Sequence, residues 1–219
     1  MKSDAQLKKD VMAELEWDPA IHATQVGVAV KDGVVTLTGD LDTYAEKTAV
    51  ERAVSRVSGV QAMAVELDVK LEPALRRHDA DIAAAAESAF KWHALIPAER
   101  IRVKVEKGWV TLSGEVEWEY QRHNAEKAVR NLLGVVGVSN AITLKAQAAP
   151  SNITSRIKDA LTRQAEEEAK HIEVSVKGSR ATLQGTVHSW SERSAAAGAV
   201  WAAPGIRSEE HTSELQSRE

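Results

Sequence analysis

Apolar residues recur along this chain in two alternating periods, and the order in which the periods change is repeated three times. Leu7, Val11 and Leu15 fall at the spacing of one helix face, as do Ile82, Ala86 and Phe90, and then Ile153, Ile157 and Leu161. Asp4, Asp79 and Ser151 stand where N-caps of these helices are expected. Strict alternation follows: Val26, Val28 and Val30 lead into Lys31-Asp32-Gly33, after which Val35, Leu37 and Gly39 complete a second short strand. Asp-Gly between two apolar runs signals a hairpin. In the third copy Lys177-Gly178-Ser179 places the glycine one position earlier, which predicts a different turn type in a hairpin that is kept. The helical period then returns with Val50, Ala53, Val54 and Val57, with Ala125, Ala128, Val129 and Leu132, and with Ala196, Ala199, Val200 and Ala203. A last strand alternates as Met63, Val65, Leu67 and Val69, and again as Val138, Asn140, Ile142 and Leu144.

The copies are in fixed register. Thr36-Leu37-Thr38-Gly39, Thr111-Leu112-Ser113-Gly114 and Thr182-Leu183-Gln184-Gly185 align at shifts of 75 and 146 residues without a gap. The same shifts align Gly59-Val60 with Gly134-Val135 and Gly205-Ile206. The predicted fold class is α+β: three tandem αββαβ units, each a three-stranded mixed sheet covered by two helices, with the second helix as a right-handed crossover. Their bounds are 1–70, 79–145 and 151–207, separated by proline-containing stretches. At the shift of 146, Glu209, His211, Ser213 and Leu215 replace Met63, Val65, Leu67 and Val69, so inward positions have turned polar. The third unit is expected to lack or degrade its last strand, and 208–219 reads as a non-native tail. Val28, Val30, Leu37 and Val54, with Val103, Val105, Leu112 and Val129, are expected in the cores.

Composition narrows the chemistry. Of 219 residues, 43% are hydrophobic and 4% aromatic, so aliphatic side chains must build the cores. There is no cysteine, which removes disulfides, thiolate metal sites and cysteine nucleophiles. The net charge of −4 leaves no basic field for nucleic acid. No stretch has the length of a membrane span and none at the N-terminus reads as a secretory signal, so the chain as written is expected in the cytoplasm, or in the periplasm if its true start lies upstream.

Candidate sites are few. Gly39, Gly114 and Gly185 are expected to form the tight turn from strand to helix, and Gly59, Gly134 and Gly205 to end the second helices, so all six are structural. The seven histidines occupy no equivalent positions and none pairs with another at helical metal-ligand spacing, so neither a metal nor any other cofactor is expected. His188 and Ser189 could be drawn into a hydrolytic arrangement, but no nucleophile motif supports it, and no catalysis is expected. Glu166-Glu167-Glu168 reads as a solvated charged face. Tyr44, Trp109, Trp118, Tyr120 and Trp190 are the candidate ligand- or partner-binding residues. Apart from Trp109, in the second hairpin, they fall between second strand and second helix, where amphipathic rings suit a membrane or partner surface or could equally staple the unit together. Trp17 and Trp92 share one aligned position and read as caps on the core.

The Thr-Leu-x-Gly anchor, the pairs Glu46-Lys47, Gln121-Arg122 and Glu192-Arg193, and the Gly-Val or Gly-Ile before the last strand together resemble a BON domain (bacterial osmotically induced and nodulation). Three copies in tandem resemble the osmotically inducible protein Y group. The resemblance covers 1–207 and implies a non-enzymatic stress or envelope protein, with a phospholipid surface or an envelope protein as partner. It also implies an alternative, a cytosolic protein-interaction or potassium-linked adaptor. The oligomeric state has no signature in the sequence.

Overall fold

A computed structural model describes residues 2–145, 151–164, 172–187, 190–206, 208–210 and 215–217. The first repeat contains α1 (Asp4–Trp17), β1 (Val26–Lys31), β2 (Val34–Leu41), α2 (Tyr44–Arg56) and β3 (Ala62–Val69). The second contains α3 (Asp79–Lys91), β4 (Ile101–Glu106), β5 (Trp109–Val116), α4 (Glu119–Arg130) and β6 (Gly137–Leu144). The third contains α5 (Ile153–Gln164), β7 (Ile172–Lys177), β8 (Arg180–Val187), α6 (Trp190–Trp201) and the short pieces β9 (Ser208–Glu210) and β10 (Leu215–Ser217). Two compact bodies result: Met1–Val116 with Gln121–Thr143, and Glu117–Tyr120 with Leu144–Glu219.

In each repeat the second strand is central. β1 pairs antiparallel with β2, setting Val28 opposite Leu37, and β3 lies parallel on the other side, setting Val65 opposite the same leucine. The sheet is therefore mixed, with α2 as the crossover, and β4-β5-β6 repeats the order. Leu37, Leu112 and Leu183 are each 0% exposed. Around Leu37 pack Leu7, Val11 and Leu15 of α1, Val50, Ala53 and Val54 of α2, and Leu67 of β3. The expectation of burial holds for Leu37, Val54, Leu112 and Val129, whereas Val28, Val30, Val103 and Val105 are only half-buried. Their strands lie at the sheet edge, where a neighbour covers one flank alone.

The hairpins show why the turns differ. Asp32 and Gly33 have φ of 51° and 75°, and Lys107 and Gly108 have 52° and 78°, the two positive values of a type I′ turn. Gly178, with φ of 63°, is the only turn residue in the third hairpin with positive φ, a type II′ pattern, and the hairpin is kept with Lys177 opposite Arg180. Asp4 is not an N-cap, because Ser3 Oγ accepts the Gln6 N–H. Its carboxylate accepts the N–H groups of Asp32 and Gly33 at 2.9 and 3.2 Å instead. Asp79 clasps Lys107 and Gly108 in the same way, both at 2.8 Å.

The last strand of the third repeat is degraded into its two pieces. β9 pairs parallel with β8 in the register of β3 on β2, with Ser208 opposite Arg180 as Ala62 is opposite Val34. β10 resumes two residues out of that register, so that Leu215 lies opposite Gly185, the place that Leu67 takes opposite Gly39. A slip of two keeps the alternation of a strand in phase.

Candidate functional site

The six structural glycines divide into two kinds. Gly39, Gly114 and Gly185 do not form the turn from strand to helix; they lie inside the central strands. At Gly39, φ is 135° and a Cβ would come within 2.1 Å of the Gln25 carbonyl oxygen; at Gly114 the values are the same against the Arg100 carbonyl. Glycine is required there by the close approach of the chain entering the first strand. Gly59, Gly134 and Gly205 are not the helix ends expected of them: Val57 is the C-cap of α2, α4 ends at Arg130 and α6 at Trp201, and the glycines, with φ of 99°, 89° and 84°, occupy the turn between second helix and last strand.

The aromatic candidates have separate surroundings. Tyr44, just inside the Thr43 cap of α2, is half-buried. Burial, then the neighbouring Glu51, raise its phenol pKa, while Arg130 and a hydrogen bond with the backbone of Val138 act against this. Tyr44 thus belongs to the contact of the first repeat with the second. In the same contact Arg130 Nη2 donates to Glu126 Oε1 at 2.6 Å, and Glu126 Oε2 accepts from Asn140 Nδ2 at 3.1 Å. Trp109 Nε1–H donates to Ser139 Oγ at 2.9 Å, and its ring lies so close over Gly137 that a Cβ there would come within 2.4 Å. This staples β5 to β6 while leaving Trp109 48% exposed. Trp118 is half-buried and Tyr120 is exposed at the start of α4. Trp190, first residue of α6, carries the Arg193 guanidinium 5.6 Å from its ring centroid, a cation–π contact.

The tryptophans read as core caps are the most exposed large apolar residues described: Trp17 at 83% and Trp92 at 89%. Trp17 ends α1 and Trp92 is the C-cap of α3. Each stands two residues beyond a core residue, Leu15 or Phe90, and two residues turn a helix by about 200° to the opposite side. The helical period that marks the core therefore also marks these positions as outward. Leu95, three residues after Trp92, is 54% exposed, and Lys91 and His93 are the sequence neighbours of Trp92; Glu16 and Asp18 are those of Trp17.

The folded chain also brings together a group that local spacing misses. His22, Asp42 and Glu46 place ligand-type atoms within 4.8 Å of one another. Glu46 is 5% exposed, and its Oε1 accepts the His22 backbone N–H at 2.7 Å and lies 2.9 Å from His22 Nδ1. The arrangement ties the turn before β1 to the first turn of α2. His188, Ser189 and Glu166-Glu167-Glu168 lie outside the described residues.

Glu51 supplies a pH test of the packed contact. Burial raises its carboxyl pKa above the ordinary 4.5, with Lys47 and Arg130 acting against the rise. A carboxyl with a raised folded pKa binds its proton more readily in the folded state, so its stability penalty is full above that pKa and disappears as pH falls through it towards 4.5. Glu51→Gln is expected to stabilise the protein at neutral pH by less than about 1 kcal/mol, since solvent screens a half-buried group. Urea unfolding at neutral pH and below pH 4.5 checks this, and the gain should vanish at the lower value.

A family profile described as BON domain matches residues 3–70, 78–146 and 150–208. Osmotically-inducible protein Y of Escherichia coli (strain K12) is 30% identical over 146 residues, which cover 65% of this chain and 73% of that protein. Two solved chains of CdsD, a structural protein of the type III secretion system of Chlamydia trachomatis, cover 94% and 96% of this chain and 90% and 98% of their own. At 15% and 14% identity and a TM-score of 0.26 for both, they carry no argument about this chain. The three profile matches follow the three structural repeats and span most of the sequence, and on that ground the chain belongs to the BON domain family, with three copies in tandem.

Proposed function

We propose that this is a non-enzymatic osmotic-stress or envelope-associated protein that docks on phospholipid surfaces through exposed tryptophans, Trp92 foremost and Trp17 second. The observation that carries the reading is the exposure of these two side chains, 89% and 83%, at one aligned position in successive repeats. An indole has an apolar body and a polar N–H, which suits the boundary between headgroups and acyl chains. Trp92 leads because Leu95 adds exposed apolar area, whereas Glu16, next to Trp17, is repelled by anionic headgroups. The stress or envelope association is supported by the family and by the name of the E. coli relative. No helix among the described residues is long and apolar enough to cross a membrane, so the proposed attachment is peripheral.

Flotation with phosphatidylglycerol-containing liposomes tests the reading. Trp17→Ala/Trp92→Ala should abolish flotation while shifting stability by no more than about 0.5 kcal/mol, as is usual for exposed positions. Replacing Tyr120 and Trp190 should reduce it less. Equal flotation of the double variant and the wild type would contradict the proposal, and separation of cells into cytosolic, periplasmic and membrane fractions would locate the surface used.

A further inference from the structure

The third repeat departs from the first at the seam between its two helices. In the first repeat that seam is closed by an ion pair: Arg56 Nη2 of α2 lies 2.8 Å from Glu14 Oε1 of α1 and 3.5 Å from Asp18 Oδ2. At the shift of 146, Glu14 becomes Ala160, Arg56 becomes Ala202, and Val57 becomes Ala203. Three larger side chains are replaced by methyl groups. α5 and α6 nevertheless keep their counterparts' core contacts, with Ile153, Ile157 and Leu161 packed with Ala199 and Val200. The helices have not closed over the lost volume, and a groove of about 280 Å³ remains between them.

The sign of the rim changes as well. Asp10 and Trp17 of α1 correspond to Arg156 and Arg163 of α5. The two arginines are seven residues apart, two helical turns, and so line one side of the groove about 10 Å from each other. Both are exposed, and neither has an ion-pair partner among the described residues. Asp159 also borders the groove, leaving an excess of one positive charge among its ionisable lining residues. The floor consists of Ile157, Ala160, Ala199 and Ala203.

We propose that this groove binds one single-chain anionic amphiphile, such as a fatty acid, with its alkyl chain along the alanine-lined floor and its head paired with Arg156 or Arg163. Charge complementarity and size both select this occupant. The volume lies at the lower end for small-molecule sites and suits one chain rather than the two of a bilayer phospholipid. Planar guanidinium groups pair well with carboxylate or phosphate. The site is separate from Trp17 and Trp92 and does not depend on surface docking.

Calorimetric titration of the full chain with decanoate, kept monomeric, provides the test, with decanol and inorganic phosphate as tail-only and head-only probes. Saturable binding of decanoate is expected, with decanol weaker by about tenfold, the loss of one charge-assisted contact. Ala160→Glu/Ala202→Arg restores the ion pair that the first repeat already accommodates, and should abolish binding without lowering the melting temperature. Arg156→Gln/Arg163→Gln alters only exposed side chains and should weaken decanoate about tenfold while leaving decanol unchanged. Trp17→Ala/Trp92→Ala should bind decanoate as the wild type does, so loss of vesicle docking alone leaves the groove intact. The proposal is overturned by absent decanoate saturation, by unchanged binding in the restored-pair variant, by equal affinity for decanol, or by phosphate alone competing fully.

Discussion

Gly39→Ala and Gly114→Ala are each expected to destabilise their repeat by roughly 2 to 6 kcal/mol, adding the backbone strain of a positive φ to the cost of overpacking. Both glycines sit at φ of 135° with a backbone carbonyl 2.1 Å from the place a Cβ would occupy. A flexible side chain could move aside, but these carbonyls belong to Gln25 and Arg100, at the entry to the edge strands. Relief would require displacing β1 from β2 or β4 from β5, and with it the pairing that sets Val26 opposite Gly39 and Ile101 opposite Gly114. Urea unfolding followed by circular dichroism measures the loss, and a change below about 1 kcal/mol would show that the entry segment moves freely.

Leu37→Ala and Leu112→Ala should each cost about 2 to 5 kcal/mol, the range for truncating a fully buried leucine. Both are 0% exposed on the central strand of a three-stranded sheet, held on both flanks by paired strands, so no single element can move in to fill the void. A unit of this size buries only about 60% of its unfolded surface and has little stability in reserve. Truncation should therefore expose amides throughout the affected repeat to hydrogen exchange, rather than near the substitution alone. Protection retained in β2 after Leu37→Ala would contradict the core assigned to the first repeat.

Much of this architecture is legible in local pattern. The 3.6-residue period finds the inward faces of α1 and α3, the two-residue period finds the strands, and Asp32-Gly33 marks its turn, because each feature depends on neighbours in sequence. What was not legible depends on residues far apart. Asp4 reads as an N-cap until the hairpin 28 residues later is folded against it. Gly39 looks like a turn glycine because the Gln25 carbonyl that demands it lies in the preceding segment. Val28 alternates as faithfully as Leu37, but alternation does not distinguish an edge strand from a central one. Glu46 meets His22 across 24 residues, beyond any helical spacing. Trp17 and Trp92 are the exception: their outward direction follows from the helical period, and only the inference from repetition to core packing misassigns them.

The groove and the exposed tryptophans show how one fold can be turned to different surfaces by a few substitutions. Position 17 is tryptophan, and its equivalents are Trp92 and Arg163; position 14 is glutamate, and its equivalents are Ala89 and Ala160. None of these changes touches the buried leucine at the centre of each sheet. Family membership therefore accounts for the scaffold, while positions such as 14 and 17 on the first helices carry chemistry that differs between copies.

The most direct measurement of surface docking is quenching of tryptophan fluorescence by phospholipids brominated in the acyl chain, in the wild type, Trp92→Phe and Trp17→Phe/Trp92→Phe. Quenching requires an indole at the depth of the acyl chains. The account predicts strong quenching in the wild type, most of it lost in Trp92→Phe and the remainder lost in the double variant. Undiminished quenching in the double variant would contradict it, because the inserted indole would then belong to Trp109, Trp118, Trp190 or Trp201.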